Sequence, residues 1–176
     1  MSTSTPQSCA EHFVGALRRA KDDRGKMAAL RRGLSAGTQM DAWPVIAELG
    51  GDIERPVYGI VAALYATHPE ESSAGNFGTT CRQIALKDGS EGKPPESAER
   101  RFRRLLACDT AAQLGEHLRA WIRLAATKGA AVNYQRLFAD LWRWEWYADD
   151  IRVRWAGEFW PARHTEETAD RKEAAA

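Results

Sequence analysis

The densest chemical feature of this 176-residue sequence is a group of four arginines in the segment ERRFRRLL, namely Arg100, Arg101, Arg103 and Arg104. A guanidinium group is planar and donates parallel hydrogen bonds, a geometry that suits phosphate oxygens. On a helix, Phe102, Leu105 and Leu106 share one side, so the four arginines spread over the opposite surface and its flanks. The pattern predicts an anion-binding surface, and the alternative is a solvated helix face without a partner.

Residues that could catalyse a reaction or bind a metal are scattered. Asp149 and Asp150 form a carboxylate pair, but at a predicted helix junction acidic residues stabilise the N-terminal turn. Cys108 has no nearby base and is predicted to be a packed thiol. The four histidines lack the close spacing of zinc ligands, and GxSxG, GxxxxGK[ST] and HExxH motifs are absent from the sequence. We therefore predict no catalytic residue, metal or cofactor.

Three of the seven tryptophans stand close together as Trp142, Trp144 and Trp146. On one predicted helix, Trp144 falls near the buried stripe, while Trp142 and Trp146 form a second stripe because they are four residues apart. Such a pair could stack on nucleic-acid bases. Packing against protein is favoured, since paired aromatics at helical spacing are usually buried. Trp142 and Trp146 are thus predicted partner-interface residues.

Most of the chain has the hydrophobic period of a helix, so we predict an all-α fold. The predicted helices are 11–21, 27–33, a short one after Trp43, 56–67, 79–86, 96–107, 110–127, 133–147 and 149–160. Residues 151–155 also alternate like a strand, but no second strand is available to pair with them. Thr110 is a predicted helix cap, and Gly129 a predicted stop.

The segment KDGSEGKPP is the best candidate for a linker between two small helical lobes. We predict an N-terminal helical lobe at 11–86, a linker at 87–95 and a C-terminal bundle of three to four helices at 96–162. Residues 1–10 and 163–176 are polar and are expected to be disordered.

Charge is nearly balanced overall, with 25 basic and 24 acidic residues, but it is unevenly distributed. Residues 1–35 carry +4, 36–99 carry −6, 100–136 carry +6 and 137–176 carry −3. No apolar stretch is long enough to cross a bilayer, and the polar N-terminus does not resemble a signal peptide. Three widely spaced cysteines are typical of a reducing compartment. These observations favour a soluble cytoplasmic protein.

The order of these segments resembles the CasB family, the small subunit of the type I-E CRISPR surveillance complex Cascade. The resemblance runs from about residue 13 to residue 159. It rests on MAALRRGLSAG, a Trp-Pro helix, NFGTTCRQIA, ERRFRRLLACDT, an amphipathic helix ending in a Lys-Gly turn, and NYQRLFADLWRW.

The resemblance implies an all-helical protein of two lobes without catalytic activity. It implies two copies beside the backbone subunits that hold the guide RNA, with basic surfaces that contact target DNA and the displaced strand and so stabilise the R-loop. The corresponding basic positions are Arg31, Arg32, Arg82, Arg100, Arg101, Arg103 and Arg104, with Arg123, Arg143 and Arg152 as weaker candidates. The acidic stretch YADD stands where the family is usually basic, which argues against a nucleic-acid contact at that junction.

Two hypotheses follow. The first is a nucleic-acid-binding Cascade subunit whose partners are guide RNA, both DNA strands, the backbone and large subunits, and a second copy of itself, with no membrane contact. The alternative is a helical protein–protein adaptor in which the arginines meet an acidic protein surface. An enzyme with an unrecognised site has no specific motif in its support.

Overall fold

The structure, a computed structural model, describes residues 5–89 and 92–162, and this part of the chain forms nine α-helices. Two 3₁₀ turns, Arg32–Leu34 and Gln39–Ala42, lie between the second and third helices. The helices are α1 Pro6–Ala20, α2 Arg24–Arg31, α3 Trp43–Glu48, α4 Pro56–Thr67, α5 Phe77–Asp88, α6 Glu96–Leu106, α7 Ala111–Lys128, α8 Tyr134–Trp142 and α9 Trp144–Phe159. The predicted all-α class is confirmed.

Local capping explains several helix boundaries. Thr110 accepts a hydrogen bond from the Gln113 backbone N–H at the start of α7, and Gly129 ends that helix with a φ of 61°. Both features agree with the sequence prediction, since a left-handed residue at a helix end favours glycine. α5 begins two residues earlier than predicted because Asn76 and Thr79 form a reciprocal capping box.

The predicted disorder of residues 1–10 requires a correction. Pro6 begins α1, and the Thr5 side chain caps the helix by accepting a hydrogen bond from the Ser8 backbone N–H. Ala10 is fully buried, so packing against the core stabilises these first turns. Residues 1–4 and 163–176, the remainder of the segments expected to be disordered, lie outside the described residues.

The predicted single helix at 133–147 is wrong. α8 ends at Trp142 and α9 begins at Trp144, with Arg143 between them at ψ near 0°. Tyr147 also departs from helical geometry, with φ −131° and ψ 26°. Trp142 and Trp146 therefore do not form one stripe. The choice of helix over strand for residues 151–155 is confirmed, because Ile151 and Trp155 are both buried on one side of α9.

The core is organised around α4, in which nearly every residue is buried. α4 packs against α2, α7 and α8, while α1 packs on α8 and α5 on α9. Phe13 and Phe138 both contact Tyr58, with ring centroids 4.8 and 5.0 Å away. The buried side chains thus form one cluster that includes residues on both sides of 87–95. The division into two lobes at that segment stays a prediction.

An ion pair links α1 to the segment after α4. Arg18 donates two hydrogen bonds to the Glu71 carboxylate, at 2.9 and 2.5 Å, and Tyr65 donates a third at 2.9 Å. The backbone on either side of Glu71 pairs with Val132. Burial alone would raise the pKa of Glu71, but the hydrogen bonds from Arg18 and Tyr65 outweigh it and lower the pKa below its ordinary value.

Replacing Glu71 with glutamine is expected to lower the free energy of unfolding by about 1 kcal/mol at pH 7, because a partly exposed charged hydrogen-bond network is lost. A depressed carboxyl pKa stabilises the fold above the pKa of the unfolded state and ceases to do so as pH falls through the folded pKa. The difference in the free energy of unfolding between wild type and E71Q should therefore shrink below about pH 4. Urea unfolding at pH 7 and pH 3 measures this, with E70Q as the exposed neighbouring control. The same difference in unfolding free energy at pH 7 and pH 3 would contradict the prediction.

Candidate nucleic-acid interface

α6 is anchored by its apolar side, so its arginines are presented outward. Phe102 and Leu105 are fully buried. The Phe102 ring stacks on Phe159 of α9 with centroids 4.0 Å apart, and its edge meets Trp121 of α7. All four α6 arginines are exposed, as the residue spacing predicted. We call Arg100, Arg101, Arg103 and Arg104 the α6 arginine face.

Two members of the α6 arginine face pair with carboxylates of their own helix. Arg100 donates to Glu96 at 2.8 Å, and Arg103 donates to Glu99 at 3.0 Å. In both pairs the glutamate lies four residues before the arginine. The sequence reasoning missed these pairs, although the i, i+4 spacing contained the signal. Exposed pairs of this kind contribute well under about 1 kcal/mol. They leave the guanidinium groups available to a stronger anion.

The other two members have no carboxylate partner within the described residues. The Arg101 guanidinium lies over the Trp121 ring, 5.6 Å from its centroid, and Arg104 is exposed at the last turn of α6. The aromatic contact orients Arg101 without neutralising its charge. Arg101 and Arg104 are therefore the two cations of this face best placed to bind a phosphate.

Arg82 and Arg152 were also predicted to bind nucleic acid, and the structure gives both internal contacts. Arg82 is half-buried on α5 and donates to the Phe159 carbonyl at the end of α9. Arg152 donates to the Cys108 carbonyl at 2.7 Å, and it pairs with Asp109 and Asp149. These contacts hold α9 against the neighbouring elements.

The remaining predicted arginines lie on other elements. Arg31 donates to the Ala66 carbonyl at 2.8 Å, and Arg32 pairs with Asp41 at 3.1 Å. Both are at the end of α2, which packs against α4, whereas α6 packs against α5 and α7. Arg123 is exposed on α7, and Arg143 is exposed between α8 and α9. The structure thus places the α6 arginine face on one helix and the other candidates on other elements.

The two predicted interface tryptophans have different surroundings. Trp142 is half-buried against Phe138 and Tyr58, and the Arg55 guanidinium covers its ring at 4.2 Å from the centroid. Trp146 is 70% exposed. Trp142 therefore packs within the protein, while Trp146 faces outward.

Within the described residues, the thiols and acidic groups do not form a cluster that could hold a metal ion. Burial raises the pKa of the Cys108 thiol, against a smaller opposing effect of Arg152. Burial likewise raises the pKa of Cys81. A protonated, buried thiol is a poor nucleophile, in agreement with the prediction for Cys108. In the same part of the chain, no helix has the length and apolar character needed to span a membrane.

Comparison with known proteins gives consistent matches. Residues 26–160 match the profile of the CRISPR-associated protein Cse2 family. A CRISPR-associated Cse2 protein of Thermus thermophilus is 31% identical over 170 residues, covering 91% of this chain and 95% of the relative. The crystal structure of CasB from Thermus thermophilus matches with a TM-score of 0.69 at 27% identity, covering 87% of this chain and 98% of that one. A chain of a CRISPR RNA-guided surveillance complex shares the fold, with a TM-score of 0.71 at 20% identity and coverage of 96% and 99%.

Proposed function

The chain belongs to the CRISPR-associated Cse2 family, also called CasB, and from this membership we propose that it is a non-catalytic, phosphate-binding subunit of a type I-E CRISPR surveillance complex in the cytoplasm. The observation that carries the proposal is the α6 arginine face. Four guanidinium groups are exposed on a helix whose other side is fixed in the core, and two of them lack a carboxylate partner in the described residues. Like charges at such spacing repel each other, and an external anion relieves that repulsion.

The mechanism we propose is electrostatic. Arginines that neutralise phosphates release counterions, so binding tolerates any base sequence and weakens steeply with salt. In guide-directed complexes base pairing reads the sequence, and protein contacts to the backbone shift a nearly balanced exchange of strands. A few arginine contacts to the target or displaced strand, or to the guide RNA, would thus lengthen the life of the R-loop.

The partners we propose follow from the family. They are the guide RNA, the two DNA strands, the backbone and large subunits, and a second copy of this chain. The alternating charge supports such an assembly, because acidic blocks at 36–99 and 137–176 can face basic neighbours while the basic block at 100–136 faces phosphate.

Replacing Arg101 and Arg104 with glutamine tests the function. In a complex reconstituted with the other subunits and guide RNA, R101Q/R104Q should weaken target-DNA binding about tenfold near 0.1 M salt. Two lost phosphate contacts should also reduce the slope of log K against log salt by about 1.8. Filter binding over a salt series measures both quantities.

The matched control is R19Q/R24Q, which removes the same charge from exposed positions on α1 and α2. An equal loss in the control would mean that net charge, not the α6 arginine face, controls binding. Unchanged DNA binding together with loss of the chain from the complex would instead support the adaptor hypothesis.

A further inference from the structure

α9 carries three of the exposed large apolar side chains of the protein. Trp146 is 70% exposed, Tyr147 is 56% exposed and Val153 is 71% exposed, whereas Trp144 beside them is fully buried. The helical geometry is interrupted at Tyr147, just after the turn that holds Trp144 in the core. We call Trp146 and Tyr147, which line one cleft, the α9 aromatic face. Exposed apolar groups gathered on one element are typical of an interaction surface.

A shallow cleft of about 280 Å³ adjoins Trp146 and Tyr147, and carboxylates line it. Its charged residues carry a net charge of −3 and are Asp109, Glu145, Asp149, Asp150 and Arg152. The single cation, Arg152, already pairs with Asp109 and Asp149. Within the described residues, no basic side chain pairs with Glu145 or Asp150. The cleft therefore offers two unneutralised carboxylates next to two exposed aromatic rings.

Gly157 leaves the surface of α9 open beside the α9 aromatic face. It lies one turn after Val153, and a Cβ at this position would meet no atom within 4 Å. Glycine inside a helix destabilises that helix relative to alanine. Within the described residues, no contact requires a glycine at this position. The absence of a side chain leaves room for the backbone of another molecule beside Val153.

We propose that the α9 aromatic face docks a basic segment of a different protein subunit. Lysine or arginine side chains of that segment would pair with Glu145 and Asp150 while lying on the indole and phenol rings, where cation–π contacts add to the attraction. Nucleic acid is disfavoured, because a net charge of −3 repels phosphate and opposes base stacking on Trp146. The inference rests on the proposed function, since the docked subunit belongs to the same assembly.

The test uses the assembled complex. The chain is co-expressed with the other subunits and guide RNA, and native mass spectrometry measures how much of it each complex retains. W146A/D150K and, separately, G157R should lower that occupancy at least tenfold, while circular dichroism shows both variants folded. The matched control E11K/H12A alters an exposed acid and an exposed ring on α1, outside both acidic blocks, and should keep wild-type occupancy. DNA binding by isolated W146A/D150K should be no weaker than that of wild type.

A photo-reactive amino acid in place of Tyr147 identifies the neighbour. A cross-link to a lysine- or arginine-rich segment of another subunit is the expected result. A cross-link to nucleic acid or to a second copy of this chain overturns the inference, as does unchanged occupancy of W146A/D150K and G157R. If the wild-type chain itself fails to enter the complex, the proposed function fails and the inference fails with it. If the wild-type chain enters the complex and only the α9 variants lose occupancy, the proposed function stands and the inference is supported.

Discussion

Replacing Gly78 with alanine is expected to lower the free energy of unfolding by about 3 kcal/mol, as overpacking in a close interface does. Gly78 lies in the first turn of α5, where that helix crosses α9. An added Cβ would overlap the Trp155 carbonyl group and lie 2.9 Å from the Trp155 Cα. These are backbone atoms, which cannot rotate away as a side chain can. The two helices would have to separate, which would weaken the Phe77–Trp155 contact and the bond from Arg82 to Phe159.

The matched control is the same substitution at Gly157 on α9, where a Cβ meets no atom within 4 Å. There alanine should raise the free energy of unfolding by about 0.5–1 kcal/mol, because it is the better helix former. Urea unfolding of both variants gives the comparison. A neutral or stabilising effect of G78A would show that α5 and α9 are not in the close contact described. Because α9 also supports Phe102 through Phe159, G78A should weaken DNA binding as a secondary effect.

Replacing Asp140 with alanine is expected to lower the free energy of unfolding by about 2 kcal/mol, because the buried Trp155 indole loses its hydrogen-bond acceptor, while Arg136 and Arg154 are partly exposed and water screens their lost pairing. Asp140 is 3% exposed and accepts hydrogen bonds from Arg136 at 3.2 Å and from the Trp155 indole at 2.8 Å. Arg154 lies 3.6 Å from the same carboxylate. The alanine variant leaves the indole N–H unsatisfied in the core and two guanidinium groups without their counter-charge.

Asparagine at the same position should cost less, since its carbonyl oxygen still accepts from Trp155. The coupling is measured with a double-mutant cycle. R136A should destabilise the wild type more than it destabilises D140A, because the ion pair is already gone in the second background. Purely additive effects in urea unfolding would mean that Arg136 and Asp140 do not interact.

The all-α class and most helix positions could be predicted from the sequence because they depend on local periodicity and capping. The apolar spacing of Phe102, Leu105 and Leu106 also determines which side of α6 faces the core, so the exposure of the α6 arginine face followed directly. Glycine in the left-handed conformation after α7 is equally local. Family membership could be read from the same spacing, which the comparisons bear out.

The uses of individual arginines were decided only by the tertiary structure. In the sequence, Arg82 and Arg152 cannot be distinguished from the exposed arginines of α6. Arg82 donates to the Phe159 carbonyl, 77 residues away along the chain, and Arg152 donates to the Cys108 carbonyl, 44 residues away. The break between α8 and α9 likewise follows from packing that places both Trp142 and Trp144 against the core and turns Trp146 outward. Such contacts depend on which helices meet, and residue spacing within one helix carries no information about that.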